Sequence, residues 1–228
     1  MRRKSTFKWF AGVMAALYLM TLVFFYQLPF GSTVFKDVPS GHYAVYEIEY
    51  MFNQGYMKGR DETVWNFYPE TEMTRAELVA LTLKINGVKT DELQQPAESQ
   101  FPDLPVEHWS SGAVAEAVKR GPLPFDTKDG FQPDKPITRG ELANAVVQTL
   151  QIPLTTETAS PLPDIVGHPY EKQIRTLVAN QYAKGNTDGL FKPDDNADRA
   201  ATAYMFAKAL KDLRPETKAA NGKKGDDK

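Results

Sequence analysis

The 228-residue sequence predicts a mainly α-helical fold in which three helix-loop-helix units pack on one another behind a single apolar N-terminal helix. Three observations predict it. A set of short motifs recurs three times at spacings of 64 and 60 residues, as in Arg75, Arg139 and Arg199. Apolar side chains inside each unit fall at i, i+3, i+4 intervals, the period of a helix with one buried face. An uncharged run from Trp9 to Phe30 stands apart from all of this.

That run comes first in the chain. Residues 1–8 carry Arg2, Arg3, Lys4 and Lys8 and no acid, and 22 uncharged residues follow. At about 1.5 Å per residue they reach roughly 33 Å, enough for a hydrocarbon core of about 30 Å. The run is longer than a secretory signal core, and Gln27–Thr33 offers no small-x-small cleavage site. Residues 1–30 therefore read as a signal-anchor: a single-pass transmembrane helix with its basic end in the cytoplasm and the rest of the chain outside. Cleavage of this leader would instead release the chain as a secreted protein.

The repeats begin at Phe35-Lys36-Asp37-Val38, Phe101-Pro102-Asp103-Leu104 and Leu162-Pro163-Asp164-Ile165. Each continues through a histidine (His42, His108, His168) and a nearby aromatic (Tyr43, Trp109, Tyr170) into a first helix. These helices are expected over 43–54, 109–119 and 170–182. Their stripes are Val45, Ile48, Met51 and Phe52, then Val114, Ala117 and Val118, then Ile174, Leu177 and Val178. A loop then leads to an F-x-P element at Phe67, Phe131 and Phe191. Thr74 with Glu77, and Thr138 with Glu141, are capping boxes that start the second helices; the third unit keeps an N-cap residue in Asp198 but has Ala201 at the Glu position. Leu78, Leu81 and Ile85, then Leu142, Ala145 and Val146, then Phe206, Ala209 and Leu210 give the second helices apolar faces. No hairpin this small buries such faces alone, so the three units pack together. Their expected bounds are 35–87, 101–152 and 162–213, with polar linkers between and a disordered tail at 214–228.

Composition removes several functions. Cysteine is absent, which excludes disulfides, thiolate metal sites and a cysteine nucleophile. Residues 9–213 hold 18 basic and 26 acidic side chains, so the module is acidic and nucleic acid is not a partner. No G-x-S-x-G, phosphate-loop, H-E-x-x-H or dinucleotide fingerprint occurs, and the chain reads as a non-enzyme without a cofactor. The three histidines sit at equivalent repeat positions, which suits hydrogen bonding at a helix start better than a metal site. Asn186–Gly189 and Asp194–Asn196 lack calcium-loop spacing and are ordinary turn chemistry.

With these motifs in view, residues 35–213 resemble S-layer homology (SLH) repeats. The resemblance lies in the F-x-D-V start, the His-aromatic pair, Gly55-x-x-x-Gly59, the F-x-P element and Thr74-Arg75-Ala76-Glu77. It implies a pseudo-threefold module with binding grooves between neighbouring repeats. It further implies a secondary cell-wall polysaccharide as partner, pyruvylated in many such proteins, and a place in the bacterial envelope beside the wall. The motif arginine, associated with groove recognition, maps onto Arg75, Arg139 and Arg199; a guanidinium fork suits a ketal carboxylate. Tyr43, Trp109 and Tyr170 are candidate sugar-stacking residues, and Gly59 and Gly185 candidate loop positions of the grooves. Asp37, Asp103 and Asp164 join the candidates, although a carboxylate after a turn-forming Phe-x also fixes a loop by accepting backbone N–H groups. Two places depart from the pattern. The second unit has Gly121 followed by Pro122-Leu123-Pro124-Phe125, and the third has Gln181 for the first glycine besides Ala201. These departures suit an alternative, an extracellular protein-interaction scaffold with degenerate carbohydrate grooves.

Overall fold

Each second helix begins at its expected cap. The computed structural model describes residues 33–60, 65–155 and 162–215. Its helices are α1 (Val45–Asn53), α2 (Arg75–Ile85), α3 (Ser111–Arg120), α4 (Arg139–Leu150), α5 (Glu171–Ala179) and α6 (Arg199–Leu213), with 3-10 turns at Thr90–Glu92 and Pro163–Ile165. Both capping boxes are closed: Thr74 and Thr138 accept from the Glu77 and Glu141 N–H groups, while each Glu side chain reaches back to its cap residue. Asp198 alone caps α6, accepting from Ala201 N–H at 2.6 Å. The signal-anchor expected over 1–30 and all but the first two residues of the tail lie outside the described residues. Among the described residues no helix is long and apolar enough to cross a membrane.

The second helices then find their remaining partners in another repeat. A helix N-terminus leaves its first N–H groups without intrahelical acceptors. Here Arg75 and Ala76 donate to Lys135 O and Pro133 O, at 3.0 Å each. Arg139 and Gly140 donate to Asp195 O and Pro193 O, and Arg199 and Ala200 to Thr71 O and Pro69 O. The F-x-P loop of the next unit thus closes the helix of the one before, and the third unit closes on the first. At the centre Met73 N–H donates to Ala197 O, Ala197 to Ile137 O and Ile137 to Met73 O, at 2.8–2.9 Å. This triangle of single backbone bonds marks the pseudo-threefold axis.

Helix packing follows the same rotation. The dominant pairings place α3 on α2, α5 on α4 and α1 on α6. A first helix therefore rests mainly on the second helix of the preceding repeat. Helix-loop-helix is the order along the chain, and the packed pair comes from two units. Most of the expected apolar faces are buried; Phe52, Ala117 and Val178 are partly buried against the core, and Val118 lies on the outer side of α3, 37% exposed. Phe35, Phe67, Phe131, Phe191 and Phe206 form the fully buried centre.

Closure into a ring removes the capping repeats that an open stack needs. It also makes every unit depend on both others. A chain ending at residue 155 should lose the α4–α5 and α6–α1 seams together and show no cooperative thermal transition by circular dichroism. A sharp transition in that fragment would mean that the units fold independently.

Candidate functional site

Each motif arginine leaves its helix start and enters the loop of the next repeat. Arg199 donates from Nε to Phe67 O at 2.9 Å and from a terminal nitrogen to Lys58 O at 2.7 Å, with its guanidinium carbon 4.4 Å from the Phe67 ring centroid. Arg139 repeats this on Phe191 O (2.8 Å), Lys184 O (3.3 Å) and the Phe191 ring (4.6 Å). Arg75 donates to Phe131 O at 3.2 Å but lies 4.3 Å from Phe125. The arginines therefore fasten the ring, and what else faces them distinguishes three unlike grooves.

In the groove of Arg75 the space is filled. Phe125 stands where the other loops have Gly59 and Gly185, and it packs on Phe131 with centroids 5.8 Å apart. Arg75 is 3% exposed and ion-paired at 3.0 Å with Glu141, which also completes the α4 capping box. Burial, and next the Glu141 charge, raise the Tyr170 phenol, which faces the same pair. A ligand carboxylate here would have to displace a protein carboxylate already in place.

The groove of Arg139 lacks that carboxylate, because Ala201 stands at the Glu position. Burial lowers the Arg139 pKa, with Tyr43 and Asp198 opposing. Tyr204 occupies the place of Ala80, its ring 6.0 Å from Tyr43. Lys184 and Lys208 lie 5.8 and 5.5 Å over that ring, and Lys208 also pairs with Glu47 at 3.3 Å. The cations here already have partners.

The groove of Arg199 is open, with a volume of about 320 Å³. All three repeats line it: Lys58, Arg60, Glu77 and Lys84 from the first, Trp109 from the second and Arg199 from the third. Four cations thus face one carboxylate, and Arg60 takes that carboxylate at 2.6 Å. Burial, and then the charge of Arg60, lower Arg199 to about 10, so it keeps its proton at neutral pH. Trp109 is 62% exposed at the rim. Excess positive charge beside an exposed aromatic plane suits an anionic ligand with a flat apolar face.

The other candidates separate. Asp37 accepts from Phe67 and Tyr68 N–H, Asp103 from Phe131 and Gln132, and Asp164 from Phe191 and Lys192, at 2.6–3.0 Å. Tyr68, Gln132 and Lys192 have φ of 58°, 54° and 57°, a left-handed turn costing on the order of 1 kcal/mol for a side-chain-bearing residue. Each Asp holds that turn in place with both oxygens. Against partial burial, which raises them, the backbone N–H groups hold Asp103 and Asp164 below the ordinary 3.8. Such carboxylates favour the fold above their unfolded pKa and lose that contribution as pH falls through the depressed folded value. The melting temperature should accordingly fall below about pH 4, and less steeply in Asp103→Asn, as differential scanning calorimetry would show.

A Cβ on Gly59 would lie 2.8 Å from Asn66 O, and one on Gly185 2.8 Å from the Leu162 side chain. These glycines permit close packing, and Gly59 also lines the open groove of Arg199. The aromatic positions need a correction. His42, His108 and His168 each accept through Nδ1 from the N–H two residues on, namely Ala44, Ser110 and Tyr170. Pro169 is thus the counterpart of Tyr43 and Trp109, and Tyr170 is the half-buried N-cap of α5. Gly140 makes room for it, since a Cβ there would meet the His168 and Tyr170 rings at 2.8 and 3.0 Å. Sequence reasoning missed Lys58, Arg60 and Lys84. The Lys-Gly dipeptide shared by Lys58-Gly59 and Lys184-Gly185 was the available signal.

Comparison with known proteins agrees with this repeat arrangement. The family described as "S-layer homology domain" matches residues 34–79, 100–143 and 161–203. A cellulosome-anchoring protein of Acetivibrio thermocellus is 32% identical over 148 residues, covering 63% of this chain and 33% of that protein. An S-layer protein of Bacillus licheniformis is 29% identical over 175 residues, 76% of this chain and 19% of the relative. S-layer protein EA1 of Bacillus anthracis is 27% identical over 175 residues, 76% and 20%. The chain spans a third or less of the length of these relatives.

Proposed function

We propose, since this chain belongs to the S-layer homology domain family, that it binds an anionic cell-wall polysaccharide non-covalently and associates with the wall through a single competent groove. The observation that carries this is the open groove in which Lys58, Arg60, Lys84 and Arg199 face one already-paired carboxylate beside the exposed Trp109. A sugar bearing a carboxylate, such as a pyruvate ketal, suits it. The lysines take the charge, the outer edge of Arg199 adds a donor, and Trp109 stacks on the pyranose face. The names of the relatives, an anchoring protein and S-layer proteins, support a wall-holding role. Residues 1–30 would tie the module to the membrane, so that the chain bridges membrane and wall polymer without catalysing a reaction.

The acidic module gains no long-range attraction to an anionic wall, because charges beyond about 8 Å are screened at physiological salt. Its grip depends on these local cations. The test is co-sedimentation of residues 31–228 with purified cell walls, native or stripped of secondary polymer. Binding to native walls alone is expected, and equal binding to both would overturn the polysaccharide reading. The filled groove at Arg75 favours a second reading, in which surfaces of the ring hold a protein partner. Retention on stripped walls through wall-bound protein would be its signature.

A further inference from the structure

The outer face of α1 carries large aromatic side chains that the polysaccharide reading does not use. Tyr46 is 73% exposed and Trp65 is 52% exposed. Tyr46, Glu49 and Phe52 follow one another at i, i+3, i+6 along one side of the helix. Trp65 packs edge-on against Phe52, with centroids 6.1 Å apart. It has a φ of 55°, rare for a bulky residue, and its carbonyl accepts from Lys36 N–H at 3.1 Å. The backbone is thus tied to the start of the fold while the indole is turned outward. Lys36 is exposed beside it, and Lys211 donates to Tyr46 O at 3.4 Å. Aromatic rings make up this surface, with Lys36 and Lys211 at its edge and Glu49, which accepts from Val34 N–H, between Tyr46 and Phe52.

The described chain enters the fold on this same face, where Val34 N–H donates to the Glu49 carboxylate at 3.4 Å. Phe30, the last residue of the uncharged run, is four residues before Val34. At about 3.5 Å per residue those four span at most roughly 14 Å. The polar zone on each side of a bilayer is itself about 5–8 Å deep. If Trp9–Phe30 crosses the membrane, the α1 face cannot stand far from the headgroups. Trp and Tyr are the residues that partition into that zone, and nearby lysines favour anionic lipid there.

We infer that the Tyr46–Phe52–Trp65 face docks on the outer leaflet as an interfacial aromatic belt, with Lys36 and Lys211 against anionic lipid headgroups. The inference rests on the anchor reading of residues 1–30. Docking fixes the orientation of the ring on the membrane, where a flexible tether would leave it free to tumble.

The chain's three tryptophans allow a test that separates the two readings. Full-length protein is reconstituted into vesicles of phosphatidylcholine and phosphatidylglycerol brominated high on the acyl chains. Three variants each keep only Trp9, Trp65 or Trp109, the other two being changed to Phe. The expected result is loss of emission for Trp9 and for Trp65, with a blue shift of Trp65, and unchanged emission for Trp109. Quenching of Trp9 with Trp65 emitting as in water would overturn the docking and leave the anchor standing. An unquenched Trp9 would overturn the anchor, and the docking with it. A Trp65 shift produced by wall polymer without vesicles would assign the face to polysaccharide and overturn the membrane docking. The variant that keeps only Trp65 retains that residue, and a thermal melt of each variant shows that the Trp9 and Trp109 arms, which carry Trp65→Phe, report on folded protein.

Discussion

Glu141→Ala should lower the unfolding free energy by about 3–5 kcal/mol, the cost of removing one partner of a buried ion pair. Arg75 is 3% exposed and finds its carboxylate only across the repeat seam, 3.0 Å away. Truncating Glu141 leaves that guanidinium desolvated, with its Nε already lacking a partner among the described residues. It also opens the α4 capping box, in which the other carboxylate oxygen accepts from Thr138 N–H at 2.9 Å. Urea denaturation separates the two losses. Glu141→Gln keeps the size of the box residue and removes the charge, while Arg75→Met removes the charge on the other side. The double variant Arg75→Met/Glu141→Gln should recover much of what Glu141→Gln alone loses, because no uncompensated charge then remains. Glu77→Ala is the contrast. Its side chain and that of Arg60 are 25% and 36% exposed, so their pair is worth at most about 1 kcal/mol. A cost below that for Glu141→Ala would mean that water reaches Arg75 and that its groove is not closed.

The same motif glutamate thus does different work in successive repeats, and the sequence shows why this was only half legible. Helix starts were readable because a capping box is a local device: Thr74-x-x-Glu77 and Thr138-x-x-Glu141 lie within one turn. Buried faces were readable because a stripe at helical spacing reports that something covers it. It does not report what. The pairing of α1 with α6 joins residues more than 140 positions apart, and no local spacing encodes it. The arginines were recognisable as special by their recurrence, but their acceptors are carbonyls of the next loop, which are chemically identical at every residue. Tyr170 was misaligned for a simpler reason. Pro169 stands where the other repeats have Tyr43 and Trp109, so the aromatic comes one position later, and the Nδ1 bond of His168 reveals the register.

If the Arg199 groove is the one that grips polymer, Lys84→Ala and Lys208→Ala should part company although the two lysines occupy equivalent positions on α2 and α6. Lys84 faces a groove with surplus positive charge, whereas Lys208 is held by Glu47 at 3.3 Å and lies over the Tyr204 ring. Trp109→Ala should weaken wall binding as well. Tryptophan is enriched among binding hot spots, and truncating one that the ligand covers costs about 2 kcal/mol or more. At 1.4 kcal/mol per decade that is upward of about 25-fold in wall affinity. Lys84→Ala removes one charge-assisted contact, worth about 1.5–3 kcal/mol, and should also flatten the salt dependence of binding. Lys208→Ala should leave wall affinity unchanged. The melting temperature of Trp109→Ala should stay near that of the parent, since its indole is 62% exposed, so loss of binding would not report loss of fold. The measurement is an isotherm of residues 31–228 on native walls at two salt concentrations. Equal losses for the two lysines would assign the polymer to both grooves. An unchanged Trp109→Ala would take it away from this one.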